Sequence, residues 1–513
     1  MRHFLRNRTT RSSLQSVITN LAMKRNMRPR GSIGTVWPAL GGHIALIRIG
    51  LCAVSCGTFL VAWQLAFAKD KADLIVTHGI VITMDARRRV IDDGAVVVQG
   101  DSIVAVGTSA EIVPQYDAAK IVDARGAIIM PGLINGHAHA AMSLFRGIAD
   151  DLSLDDWLKK YIFPAEARNV TEDFVVWGTR LGILEMIRGG ITTYADMYYF
   201  EDAVARVTKE AGMRGVLGET IIDFPAPDNK TVPQALEYTQ KFIDHWKGDA
   251  LIVAAAAPHS IYTCSAKTLQ DAAALARRNH APILIHIAEA PFELQQSREK
   301  YGITPVGYLA REGILGPDVV GAHCVWVDQA DIATLVQFGV GCINNPSSNM
   351  KTAAGVMPVI NMLAAGEAIG LATDGAASNN NQDLFEEMDL AAKLQKITRM
   401  DSLALPAEQV VEMATIGGAR AIHLEKLIGS LEAGKKADLI LVDTTAPHAT
   451  PMYNVYSQLV YALKATDVRT VVIGGKIVME DRRMLTLDES AILAKANEYK
   501  KQIERSLETP PSK

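Results

Sequence analysis

The chain has 513 residues, of which 49% are hydrophobic and 21% charged, with 20 prolines; this is a globular composition, large enough for one big domain and a smaller one, and it excludes a fibre or a disordered polymer. Residues 1–68 hold nine Arg or Lys and no Asp or Glu, so a total charge of −4 leaves −13 on residues 69–513. An acidic body excludes nucleic acid as a partner, because phosphates require a basic face.

The first element is a leader. Its basic stretch is followed by an apolar run at 49–68 that ends Ala66-Phe67-Ala68 before Lys69-Asp70, which is the basic, apolar, small-x-small order of an export signal. The run is also near the length that spans a bilayer, so an uncleaved membrane anchor is the alternative. The expectation is an exported protein, periplasmic or secreted, whose translation starts at Met1, Met23 or Met27. Cys52 and Cys56 fall in the leader. The remaining Cys264, Cys324 and Cys342 are odd in number and lack Cys-x-x-Cys spacing, so they read as buried free thiols.

Short strands and tight turns follow at 74–77, 80–84, 94–99, 102–106 and 121–123, and the same texture returns at 437–442, 468–473 and 474–478. These read as two halves, 69–126 and 428–490, of one small β-sandwich domain built from segments before and after a central domain at 127–427. A helix and tail at 491–513 end the chain. In the central domain, apolar runs at 128–135, 191–197, 214–220, 251–257, 283–287, 319–323, 340–344 and 369–374 alternate with helical patterns such as 173–188 and 266–279. Alternation of this kind implies parallel strands joined by crossover helices, and eight strands make an α/β fold of the (β/α)8 TIM-barrel type, whose sites lie at the C-terminal strand ends.

The exits of these strands carry the chemistry. His137 and His139, two apart, point to one side of the first strand; the fourth exit has His259, the fifth His286 and Glu289, the sixth His323 and the eighth Asp374. Five of the ten histidines beyond the leader sit at these exits, whereas His78, His245, His280, His423 and His448 read as surface or capping residues. A nitrogen-rich set with one carboxylate suits one divalent metal, zinc first and Fe2+ or another first-row ion second. His137, His139, His286 and Asp374 are the selected ligands. They leave a position for water, whose pKa such a metal lowers from 15.7 to about 7. Asp374 is also placed to take the water's proton, and His323 to orient the nucleophile or stabilise charge. Glu289 is placed to pass a proton to a ring nitrogen of a substrate; its plain structural alternative is an acid at a helix start.

The stretches Pro131-Gly132-Leu133-Ile134-Asn135-Gly136-His137-Ala138-His139, His286-Ile287-Ala288-Glu289, Gly321-Ala322-His323-Cys324 and Thr373-Asp374-Gly375-Ala376-Ala377-Ser378-Asn379-Asn380 resemble the amidohydrolase superfamily. The chain is most similar there to 5-methylthioadenosine/S-adenosylhomocysteine deaminases and their chlorohydrolase relatives, over roughly residues 73–485. The resemblance implies a distorted TIM barrel, a single metal without a bridging carboxylated lysine, Glu166 in Phe163-Pro164-Ala165-Glu166-Ala167-Arg168 as a ribose-binding residue, and His259 as a substrate-binding histidine. It also matches Glu289 and Asp374 to substrate contacts. Two departures stand out. Ser260-Ile261-Tyr262-Thr263 follows His259 where many relatives have Ala-Pro-Tyr-Thr, and no arginine can be placed near Gly218-Glu219-Thr220 to meet a homocysteine carboxylate, since Arg214 reads as structural.

The insertion at 140–161, with Phe145, Leu154, Trp157, Leu158 and the adjoining Ile162, reads either as a wall or lid for a flat ring or thioalkyl group, or as packing against the barrel. The expected activity is hydrolytic, metal-dependent deamination of an aminated purine: adenosine, methylthioadenosine or S-adenosylhomocysteine as the small-molecule substrate. The alternatives are another substituted N-heterocycle (guanine, cytosine or a chlorotriazine) and an inactive amidohydrolase-like binding protein. A homo-oligomer stays open.

Overall fold

The computed structural model describes residues 69–508; the leader, with its export signal or anchor, and residues 509–513 lie outside the described residues. Among the described residues no helix is long and apolar enough to cross a membrane.

The chain starts with β1 (Asp70–Ile82), β2 (Val90–Gln99), β3 (Ser102–Thr108), β4 (Tyr116–Asp123) and β5 (Ile128–Pro131). The barrel strands follow: β6 (Leu133–Ala138), β7 (Ile191–Tyr198), β8 (Arg214–Ile221), β9 (Ile252–Pro258), β10 (Ile283–Ile287), β11 (Val319–His323), β12 (Gly341–Asn344) and β13 (Ala368–Leu371). β14 (Leu439–Val442), β15 (Val468–Ile473), β16 (Lys476–Glu480) and β17 (Arg483–Met484) complete the set. Three helices matter for the site and its support: α1 (Phe163–Asn169), α2 (Glu172–Arg188) and α3 (Glu489–Glu508).

The small domain is one nine-stranded sheet in the order β17-β16-β15-β14-β5-β1-β2-β3, with β4 alongside β1. Its β3 edge curves back onto the segment before β14: Ser102 bridges Lys436, and the Ile103 N–H donates to the Lys435 carbonyl at 2.8 Å. Val96, Val98 and Ile103 from one half and Leu439, Leu441 and Val472 from the other share one buried core. The expected sandwich is therefore a single sheet folded over on itself. The two runs expected at 74–77 and 80–84 are one strand with a bulge, where His78 takes φ 57° and the register with β2 slips on both sides of Gly79. A Cβ on Gly79 would lie 2.7 Å from the Ala127 carbonyl, so a side chain has no room there.

The run expected as the first barrel strand, 128–135, divides at Gly132. Its first part is β5, parallel to β1 and antiparallel to β14, and only its second part, β6, enters the barrel. The cause is crowding at the crossing: a Cβ on Gly132 would sit 2.1 Å from Thr192 Oγ1. Hydrophobicity alone cannot mark such a division, because both pieces are buried.

The barrel strands run β13-β12-β11-β10-β9-β8-β7-β6 with every neighbour parallel. Helices cover the outside, and this two-sided burial is why the strands read as near-continuous apolar runs. At the seam, the Asp374 N–H donates to the His137 carbonyl at 3.1 Å, and Asn135 bonds Thr373 through both its Oδ1 (3.0 Å) and its Nδ2 (2.8 Å). Closing the barrel thus joins the two strand ends that carry His137 and Asp374. Arg214, at the start of β8, makes a buried bidentate pair with Asp438 at 2.8 and 3.2 Å. It ties the barrel to the small sheet from the end opposite the strand exits and is structural, as expected. Cys264, Cys324 and Cys342 are free and buried, also as expected.

Candidate active site

The strand exits bring all the expected residues to one place. His139 leaves β6 with its Nδ1 donating to the Met197 carbonyl at 2.6 Å, and the next N–H, of Ala140, donates to Asp196 Oδ1 at 2.6 Å. His286 donates from Nδ1 to the His259 carbonyl at 2.9 Å. A carbonyl only accepts, so both rings carry a proton on Nδ1, which leaves Nε2 as the atom that can bind a metal. The His137 ring stands edge-on to His139 and His286, at centroid distances of 4.8 and 4.9 Å. Its Nε2 is buried and has no hydrogen-bond partner, an arrangement that costs free energy unless an electrophile takes the lone pair.

Asp374 Oδ1 lies 3.5 Å from His137 Nε2 and 3.3 Å from His139 Nε2. The ligand atoms of His137, His139 and Asp374 are within 4.8 Å of one another, and so are those of His137, His286 and His323. This donor set fits a single divalent metal centred beside His137. The other oxygen of Asp374 accepts from Ser348 (2.6 Å) and Ser378 (3.0 Å), so the carboxylate is fixed with Oδ1 toward the imidazoles. His323 accompanies the group more closely than its sequence position indicated, but its Nδ1 is held by Asn349 at 2.9 Å and its Nε2 faces Glu289 at 3.7 Å. His323, Asp374 and Ala288 all take left-handed backbone conformations, with φ 75°, 62° and 50°. Such strain at three strand exits turns their side chains and those of their neighbours into the barrel mouth.

Burial lowers the pKa of His137 to about 4 and of His259 to about 3, and pushes His286 well below its ordinary value, so these imidazoles are neutral. For His139 burial also opposes the cation, but the hydrogen bond and charge of Asp374 outweigh it and raise the pKa to about 9. The protein by itself therefore keeps one proton between His139 and Asp374, and a divalent cation bound there must displace it. Glu289 is raised to about 8 by burial and then by the Asp374 charge. The helix-start alternative for Glu289 is filled by Glu293 instead, whose carboxylate accepts from the Ala288 and Glu289 N–H groups at 3.1 and 2.8 Å. Glu289 is left free to face the cavity.

That cavity is lined by His139, Glu166, His259, His286, Glu289 and Asp374 among others. Within it, Glu166 on α1 is buried, accepts from Tyr198 at 2.8 Å, and is raised to about 7 by burial. The residue match of the amidohydrolase family spans 128–478. The chain belongs to the amidohydrolase family.

This amidohydrolase is 46% identical over 441 residues to 5-methylthioadenosine/S-adenosylhomocysteine deaminase 1 of Syntrophus aciditrophicus, across 86% of this chain and 100% of that one. It is 43% identical over 427 residues to 5'-deoxyadenosine deaminase of Methanosarcina mazei, across 83% and 97%. Among solved structures, an adenosine deaminase from Xanthomonas campestris with bound zinc aligns with a TM-score of 0.84 and 36% identity, over 85% of this chain and 100% of that one.

Several residues of the site were not legible by searching for histidines. Tyr198 and Thr220, at the ends of β7 and β8, line the cavity without any metal-binding side chain, and Ser348 reaches Asp374 from a helix after β12. Their signal was position alone, as strand-exit polar residues. The substitution of serine at 260 has a visible effect: Ser260 Oγ lies 3.1 Å from His259 Nδ1 and shares a 2.7 Å hydrogen bond with Thr263, adding a hydroxyl to the support of the His259 ring. In the insertion, both sequence readings hold on different residues. Phe145 packs inward on Phe174 at 4.8 Å, whereas Leu154, Trp157, Leu158 and Ile162 line the cavity.

Proposed function

We propose that this amidohydrolase hydrolyses the exocyclic amino group of adenosine-type nucleosides, releasing ammonia. The observation that carries the reading is the meeting, in one cavity, of a His and Asp donor set with two buried carboxyls, Glu289 and Glu166, held on different elements. His137, His139, His286 and Asp374 would hold one divalent metal, zinc by donor type, and when bound it supplies a water of pKa about 7 as nucleophile.

The chain's own groups do the rest. Glu289, protonated at neutral pH by its burial, donates to the ring nitrogen next to the amino-bearing carbon, which makes that carbon a better electrophile. Asp374 is placed to accept the nucleophile's proton and pass it to the departing amine, and the proton left on the attacking oxygen returns to Glu289 as the carbonyl forms. His323, whose Nδ1–H donates to Asn349, keeps its Nε2 lone pair beside Glu289 and is placed to accept from and orient the nucleophile. His259, neutral and held by Ser260 and Thr263, offers a hydrogen bond to the base. Glu166, oriented by Tyr198, accepts from ribose hydroxyls.

Glu166→Gln tests the nucleoside part of this reading. Hydrogen bonds to a charged group are worth about 1.5–3 kcal/mol, so KM for adenosine and methylthioadenosine should rise about tenfold or more with kcat little changed, as expected of an anchor that holds ground and transition states alike. Free adenine, lacking ribose, should be unaffected. If steady-state kinetics show all three substrates unchanged, a bare heterocycle replaces the nucleoside as the substrate class.

A further inference from the structure

We infer that Glu387, a buried acid outside the cavity, is a positioning residue that sets the aim of Asp374 by pinning the two segments whose serines hold that carboxylate; the inference rests on the ligand set of the deaminase reading and deepens it. Asp374 is held from two directions. Ser348, on the short helix Pro346–Lys351 after β12, and Ser378, four residues on from Asp374, both donate to its Oδ2, at 2.6 and 3.0 Å. Strand pairing joins β12 to β13 only as far as Asn344 and Leu371, so beyond the strands another contact has to keep both serines in register with Asp374. Glu387 supplies it from behind. It lies in the first turn of the helix Leu384–Arg399 and is fully buried. Its Oε2 accepts from the Ser347 N–H at 3.0 Å, and its Oε1 from Asn379 Nδ2 at 3.0 Å. One carboxyl group thus reaches the residue before Ser348 and the residue after Ser378. The same Asn379 Nδ2 donates to the Thr373 carbonyl at 2.8 Å, which carries the hold to the residue before Asp374.

Burying an acid without a cation is unfavourable, and that cost points to a use. Among the described residues Glu387 forms no ion pair, and burial raises its pKa to about 8, with the charge of Glu386 adding to the rise. The helix N-terminus offsets part of the cost. An apolar side chain at this position would avoid the cost altogether and would lose only the two hydrogen bonds, so those two bonds are what the acid is there to make. Their value follows from the backbone of Asp374. With φ 62° it sits in a left-handed conformation, which persists only where the surroundings enforce it. Groups that orient a metal-ligating carboxylate typically contribute 10- to 100-fold to metal affinity or activity.

The test is a double-mutant cycle read by zinc affinity, measured on the full chain by competition with a chromogenic chelator. Glu387→Gln keeps the size of the side chain but turns one acceptor into a donor that faces a donor. It should weaken zinc binding about 10- to 100-fold, with kcat falling and KM for methylthioadenosine little changed. Ser348→Ala combined with Ser378→Ala should do the same. Adding Glu387→Gln to that serine pair should weaken zinc by no more than about threefold further, because the acid acts through the serines and the effects of one connected network do not add. If Glu387→Gln does not fold, Asn379→Ala, which removes one of the two contacts from the other side, takes its place in the cycle with an expected loss of about tenfold. Zinc binding in the single variant within threefold of the parent, whatever its thermal stability, would overturn the inference, and so would penalties that multiply in the combined variant. If the cycle closes as stated but the parent releases ammonia from no nucleoside, it is the deaminase reading that falls, and the role of Glu387 stands.

Discussion

His286→Ala should lose the metal and the activity together, the rate falling about 10⁴-fold or more because the nucleophile reverts toward the pKa of bulk water. The magnitude follows from how His286 is held. Its Nδ1–H is committed to the His259 carbonyl and its ring stacks between His139 and His323, at centroid distances of 5.5 Å to each, so Nε2 has a fixed aim at the centre of the donor set. The two nearest imidazoles are committed elsewhere: His259 is tied by Ser260 and Thr263, and His323 donates from Nδ1 to Asn349 and faces Glu289 with Nε2. Metal content by atomic emission, read alongside ammonia release, checks this. A variant that keeps a full equivalent of metal, or works within tenfold of the parent, would remove His286 from the ligand set.

Glu289→Gln should keep the metal and bind nucleoside while kcat falls about 10² to 10⁴-fold, the usual cost of removing a positioned general acid. The amide fills the same space but has no acidic proton. The sign of the pH dependence follows from burial, which raises Glu289 to about 8. The donating form is the protonated one, present below the pKa and lost as pH rises through it, so the parent should show an alkaline fall in kcat/KM that the glutamine variant lacks. A bound cation near Asp374 favours the carboxylate and moves that fall below pH 8. An alkaline limb that persists unchanged in Glu289→Gln would assign it to another group.

How much of this was readable from the chain depends on where each signal is stored. His137, His139, His286, His323 and Asp374 were legible because metal-binding side chains are rare and recur at one kind of position, the exit of an apolar run. Tyr198 and Ser348 were not, because tyrosine and serine occur everywhere and only their contacts with Glu166 and Asp374 distinguish them. The barrel was legible as eight alternating runs, yet the division of 128–135 into β5 and β6 was hidden. Both pieces are buried, one in each sheet, and what separates them is the crowding of Gly132 against Thr192, a contact 60 positions away in the chain. The folding of the small domain into one sheet was hidden for the same reason: β5 is the strand that joins its halves, and it looked like part of the barrel.

The central claim is one metal serving hydrolytic deamination at this site, and a zinc titration of the stripped protein tests it most directly. After chelation the protein should release no ammonia from methylthioadenosine, and activity should return in proportion to added zinc and level off at about one equivalent per chain. Full activity after chelation, or a plateau reached only at two equivalents, would contradict it.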